Sequence, residues 1–356
     1  MDPVSRVGTP PSALAPLQAE PPGPRRAASG FSALPDVPVR AAKGGQAQGH
    51  LAPRATLPGP AQSPLVDLPG DVIKAVVARL PTRDIANLSM LNTVLRSATA
   101  PVLAPIAQLV ATAQSAKDRP PGERLNVLGS VYLATRQLPP EQMFQPLRAL
   151  IEQGASLPHD KERFFLANGV MREIAQHGQS MPAGEVARLV TGLAGQLHQL
   201  PEWVAAADSG VQGQTEDLWA RANAFFGYRS AAIGLPGEHR FVPLAALTGQ
   251  IGVMSQEPRE PGTMSLRSVA AQQILEAATD SGLPMDDSAR LLESLVSRIK
   301  MLPGELEQRA MVLAVRGEIG KVALRPGQRK GLELQLDVIE HQFTRATRWL
   351  RTLGLR

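Results

Sequence analysis

The chain has 356 residues, 43% of them hydrophobic but only 4% aromatic, with a formal net charge of +5 and no cysteine. That length allows two or three domains with cores of Leu, Ala, Val and Ile. The missing cysteine excludes a disulfide scaffold, a thiol nucleophile and Cys-ligated zinc, and the mild charge tolerates an acidic partner without calling for nucleic acid. No apolar run approaches the ~20 residues of a membrane span, and no compact apolar stretch follows a basic start as in a cleaved secretory signal.

Residues 1–64 contain 13 prolines interleaved with Ala, Gly and Ser, and Phe31 is their only aromatic. Such a segment buries too little apolar surface to offset an ordering cost of ~1–2 kcal/mol per residue. The expectation for 1–64 is a disordered tail: a linker, a secretion segment or a docking peptide.

From Leu65 onward the pattern is helical, with apolar residues every third or fourth position and no alternating strand of useful length. Leu-Pro or Met-Pro pairs punctuate it at Leu138-Pro139, Leu157-Pro158, Met181-Pro182, Leu200-Pro201, Leu235-Pro236, Leu283-Pro284 and Leu302-Pro303. Proline ends the element before it and fits the first turn of the next. The steps 138 to 157, 181 to 200 and 283 to 302 are each 19 residues, and 138 to 181 and 157 to 200 are each 43. A 43-residue period of two helices matches HEAT or armadillo repeats, so residues 105–356 are expected to form about five helical hairpins. Acid-then-arginine openings recur at Glu123-Arg124, Glu162-Arg163 and Glu238-His239-Arg240, where the acid suits the helix dipole. The last helix carries one stripe, Leu332, Leu336, Ile339, Phe343, Ala346, Leu350 and Leu353, as expected of a helix that closes a solenoid.

Residues 68–96 read LPGDVIKAVVARLPTRDIANLSMLNTVLR. Three short helices are expected. The first, from Pro69, turns Val72, Ile73, Val76, Val77 and Leu80 to one broad side. The second is capped by Thr82 or Asp84 and carries Ile85 and Leu88, and the third carries Leu91, Leu95 and Ala98. One reading makes this the first hairpin of the solenoid.

The segment also resembles an F-box. The family's Leu-Pro, apolar series, second Leu-Pro, Asp-apolar pair and closing apolar-Arg correspond here to Leu68-Pro69, Val72, Ile73, Val76, Val77, Leu80-Pro81, Asp84-Ile85, Leu88, Leu91 and Leu95-Arg96, without gaps. Leu95 stands where the family usually has an aromatic. The resemblance implies a fold of a short three-helix F-box at 65–104 ahead of the helical array. It further implies docking onto the Skp adaptor of an SCF-type ubiquitin ligase through Leu68, Pro69, Ile73, Val76, Leu80, Leu88 and Leu91. About 40 residues cannot enclose a core, so such a unit exposes apolar side chains that ask for a partner.

The arginine-rich, proline-rich composition looks bacterial, and bacteria lack this ligase. The combination resembles F-box effectors that plant pathogens inject through type III secretion, with residues 1–64 as the secretion segment and the host cytoplasm and nucleus as destinations. The expected role is an adaptor that brings an unidentified host protein to the ligase by proximity, with no catalytic residue, metal or cofactor. The alternatives are a helical-repeat scaffold that never touches ubiquitin, and an enzyme whose site is assembled from dispersed residues. His50, His159, His177, His198, His239 and His341 are scattered without ligand spacing. Gly317–Lys321 lacks the spacing of a phosphate loop, and Trp203, Trp219 and Trp349 are expected as packing anchors. The basic residues near the C-terminus are expected on a solvated helix face.

Overall fold

The computed structural model describes residues 68–204, 219–258, 263–280 and 282–352, with side chains through Phe343. The tail expected over 1–64 therefore lies outside the described residues, as do the side chains of Ala346, Leu350 and Leu353. Among the described residues the regular structure is helical, and the one sheet-like pairing is an isolated bridge between Pro258 and Ser265.

Three helices come first: α1 (Gly70–Val77), α2 (Thr82–Leu91) and α3 (Thr93–Ser115). Five pairs follow: α4 (Pro121–Thr135) with α5 (Phe144–Gly154), α6 (Asp160–His177) with α7 (Ala183–Gly195), and α8 (Ala220–Ile233) with α9 (Gly237–Gly249). The last two are α10 (Leu266–Thr279) with α11 (Met285–Arg298) and α12 (Gly304–Ile319) with α13 (Pro326–Thr352). Within each pair the helices pack on each other. From pair to pair, α4, α6, α8, α10 and α12 form one layer, and α5, α7, α9, α11 and α13 the other. α3 packs on both α4 and α5, and α1 and α2 pack on α3.

The proline joints explain this regularity. Pro69, Pro81, Pro120, Pro182, Pro236, Pro284 and Pro303 each occupy the cap of the following helix, with φ from −71° to −52° and ψ from 129° to 147°. They stand one residue outside the first turn, in which the sequence pattern had placed them. At the cap a proline needs no N–H, its fixed φ suits the extended entry, and its carbonyl accepts the first helical bonds. Pro69 O, for example, accepts from Val72 N at 2.9 Å and Ile73 N at 3.1 Å. Pro81 thus takes the capping position expected of Thr82 or Asp84, and Thr82 is already helical. Two joints differ. His159, not Pro158, caps α6, and among the described residues 201–204 no helix follows Pro201.

At six joints of the array the residue ahead of the proline is the packing half, while Leu138 is half-buried. Leu157, Met181, Leu200, Leu235, Leu283 and Leu302 are all buried in the main core. The expected stripe on α13 is likewise buried at Leu332, Leu336, Ile339 and Phe343.

Arginines lock the joints. Arg124 on α4 donates to the carbonyls of Lys117 and Arg119 before its own helix and of Ser156 in the next joint. Arg163 on α6 joins Leu157 O to Gln199 O, Arg221 on α8 joins Leu200 O to Val253 O, and Arg267 on α10 joins Met254 O to Met301 O. In α12 Gln308 caps Leu302 O in that place. Each guanidinium offers a planar fork of five donors, enough to satisfy carbonyls of two successive turns that no helix can pair.

The buried apolar residues form two clusters. One runs through the five pairs. The other is small: Ile73, Val77, Ile85 and Leu95, flanked by Leu80, Leu88, Ala98, Val102 and Leu103. α3 serves both, with Val102 and Leu103 against the small cluster and Leu109, Val110 and Ala113 in or against the large one.

The boundary expected between 104 and 105 thus falls inside α3, despite Pro101 and Pro105 within the helix. Those prolines lie four residues apart on an exposed face, as does Ser97, so the carbonyls they leave unpaired sit on the water side. α3 with its following turn, Thr93–Asp118, is also long and apolar enough to cross a membrane by length and composition, which corrects the sequence reading. Only 17% of the apolar 18-residue window within it is buried.

Candidate interaction surface

The first three helices form around the small cluster. α1 turns Ile73 and Val77 inward, α2 contributes Ile85, and α3 contributes Leu95, whose N–H bonds the Asn92 side chain at 2.8 Å. This asparagine begins α3 in an extended conformation, so the chain turns sharply between α2 and α3. Gln142 ties the unit to the array. Its Nε2 donates to Ala78 O at 2.9 Å, and its own carbonyl accepts from Thr82 Oγ1 at 3.5 Å.

The seven residues read from the sequence divide by position. Ile73 is buried in the cluster, and Leu80 and Leu88 are half-buried against it. Their packing partners are internal. Leu68 is 38% exposed, Val76 40% and Leu91 65%, and Pro69 is also exposed. Leu91 ends α2 and does not join Leu95 and Ala98 on the third helix, because the Asn92 cap intervenes.

Three further apolar residues stand out in solvent: Val72, Met90 and Val94. Leu68, Val72 and Val76, four residues apart, form one strip along α1, and Met90, Leu91 and Val94 cluster at the α2–α3 corner. The four-residue spacing of the strip was visible in the sequence. The corner was not, since it depends on where α2 stops. Around these strips lie Lys74, Arg79, Arg83 and Arg96 against Asp71 and Asp84, all exposed, an excess of two positive charges. Sealing such side chains against a partner contributes about 1.5–3 kcal/mol for each one fully buried.

No family model matches the chain, and neither a curated protein nor a solved structure matches it.

Elsewhere the polar groups serve packing. Buried Glu173 on α6 accepts from Tyr132 Oη at 2.7 Å and pairs with Arg136 at 3.2 Å, with His177 at 3.7 Å. Burial, and then the bond to Glu173, pushes the Tyr132 phenol up to about 12. Among the described residues no group of three His, Asp or Glu could hold a metal ion. Gly317 to Ile319 lie within the last turn of α12, and Gly320 and Lys321 in the turn that follows it. Of the tryptophans, Trp219 packs against the main core, Trp203 is 57% exposed instead of buried, and the Trp349 side chain lies outside the described residues. Arg325 pairs with Asp286 at 2.9 Å, and Arg329 donates to Val322 O at 3.4 Å.

Proposed function

We propose that residues 65–104 act as an F-box and dock on the Skp subunit of a host SCF-type ubiquitin ligase, while the helical hairpins, a HEAT- or armadillo-like array, hold the target. The supporting observation is that Leu68, Val72, Val76, Met90, Leu91 and Val94 remain in solvent although a cluster of their own neighbours lies beside them. A self-sufficient hairpin at the end of an array has no need of such strips; a unit completed by a partner does. The excess of basic residues around them favours a partner with an acidic rim.

α3 fits the adaptor role mechanically. It is one helix shared by both clusters, so a protein docked at α1 and α2 keeps a fixed relation to one held by the array. Proximity then raises the effective concentration of target lysines near the ligase, and no catalytic residue is required. The proposal carries with it the type III effector reading, with Xanthomonas outer protein I as the member resembled. Residues 1–64 would serve secretion, and the host cell would be the site of action.

The test is capture of plant Skp by the full chain and by Leu68→Ala/Leu91→Ala. Both side chains are exposed, so the helical circular dichroism should not change. Loss of capture in the variant is the expected result. Capture that survives, or never occurs, removes the ligase and leaves a scaffold for a host protein.

A further inference from the structure

The array is closed at one end and open at the other. At its start α3 packs on both α4 and α5, so the chain itself covers the outer side of the first pair. At its end α12 rests on α10 and α13 on α11, and among the described residues no further pair stands beyond them.

A terminal pair that only seals an array shows water a polar outer side. This one does not. α12 buries Val312, Val315 and Ile319 and leaves Leu306 82% and Leu313 68% exposed, seven residues apart and so on one face. α13 buries Leu332, Leu336 and Ile339 and leaves Leu334 64% and Val338 51% exposed, four residues apart on another face. Among the described residues, no other pair exposes more than one large apolar side chain on its helices. At the seam between α12 and α13 the charges pair within the chain: Arg316 with Asp337 at 2.5 Å and Glu340 at 2.8 Å, and Arg309 with Glu305. They do not stand in the way of an identical surface.

The array itself indicates the occupant. At every step the side of one helical pair packs on the side of the next. In a second copy the side of α4 and α5 is already taken by α3, so the uncovered pair side it offers is again that of α12 and α13. Two identical faces close about a two-fold axis, and the assembly stops at two. The area suffices. Helices of 16 and 27 residues, at about 1.5 Å per residue and about 10 Å across, present a side of about 640 Å². Two such sides bury about 1,300 Å², within the range of stable interfaces.

We infer that two copies of this chain pack tail to tail through α12 and α13, burying Leu306, Leu313, Leu334 and Val338 around a two-fold axis. The inference goes beyond the Skp reading and stands whether or not Skp binds, because it concerns the opposite end of the array.

The experiment is sedimentation velocity of the full chain from nanomolar to high micromolar concentration. A species of twice the 37.9 kDa chain that grows no further is expected. Leu313→Arg/Leu334→Arg places charge on both strips. Both side chains are exposed, so helical circular dichroism and urea unfolding of the monomer should not change, while dimerisation weakens about a hundredfold or more. Leu68→Ala/Leu91→Ala should dimerise as the unaltered chain does, whereas a head-to-tail contact through α1 and α2 would be lost in it and would keep adding copies. A chain that stays monomeric at the highest concentration, a dimer that survives Leu313→Arg/Leu334→Arg, one lost in Leu68→Ala/Leu91→Ala, or growth past two copies would each overturn the inference.

Discussion

The same dipeptide meets opposite fates in two parts of this molecule. In the array, the residue before proline is buried at Leu157, Leu200, Leu235, Leu283 and Leu302, because a neighbouring hairpin closes over each joint. At Leu68-Pro69 the proline caps a helix in the same way, but the leucine stays 38% exposed. The difference teaches that Leu-Pro encodes a turn with a greasy shoulder, and that the neighbours decide whether the shoulder is used. The array supplies neighbours from its own chain; the first three helices do not.

Matched truncations test this most strongly. Leu157→Ala should cost about 2–5 kcal/mol in urea unfolding, the usual range for a leucine cavity, whereas Leu68→Ala should stay within about 1 kcal/mol. Equal losses would mean that Leu68 is packed after all. Ile85→Ala should cost a similar 2–5 kcal/mol but locally. Hydrogen exchange should rise in α1 and α2 while α5 and α7 keep their protection, because only four residues are fully buried in that cluster. Global opening would show that the two clusters are one cooperative unit.

The arginine locks give a smaller effect. Arg267→Lys keeps the charge but loses the fork that joins Met254 O to Met301 O, and should cost about 1–3 kcal/mol. A comparable change at exposed Arg290, whose nearest carboxylate is 3.8 Å away, should cost nothing measurable.

Two glutamates give the smallest effects, of opposite sign. Glu307 of α12 is pushed up by burial, but hydrogen bonds from Ser265 and Ser268 outweigh that and hold it below the usual range. Its contribution is present above the unfolded pKa and is lost as pH falls through the folded one. Glu307→Gln should therefore be less stable at neutral pH, with the gap closing on acidification. Glu185 is raised, so its contribution is full below the unfolded pKa and lost as pH rises through the folded value. Glu185→Gln should lack that decline. Stability curves against pH for the two variants, if they bend the same way, would refute the assignment.

Much of the array was readable in the residues. The 43-residue steps link equivalent joints, Pro139 ahead of α5 and Pro182 ahead of α7, since proline geometry is local and repeats wherever the motif repeats. The locks were within reach too. In Glu123-Arg124 and Glu162-Arg163 the acid marks a helix start, yet the arginine is the partner that spans two joints. The candidate surface was only half legible. Ile73 and Val76 have the same character in sequence, and only the packing of α3 buries one and leaves the other out.

By itself the sequence determined the helical class, the places where helices begin, and the stripe that seats α13, because proline dihedrals and the 3.6-residue period act over a few residues. The tertiary structure decided that α3 runs through two prolines, that Leu91 points to solvent, and that Glu185 is buried. Each of these depends on atoms tens of residues apart, and a linear pattern carries no term for which surfaces will find a neighbour.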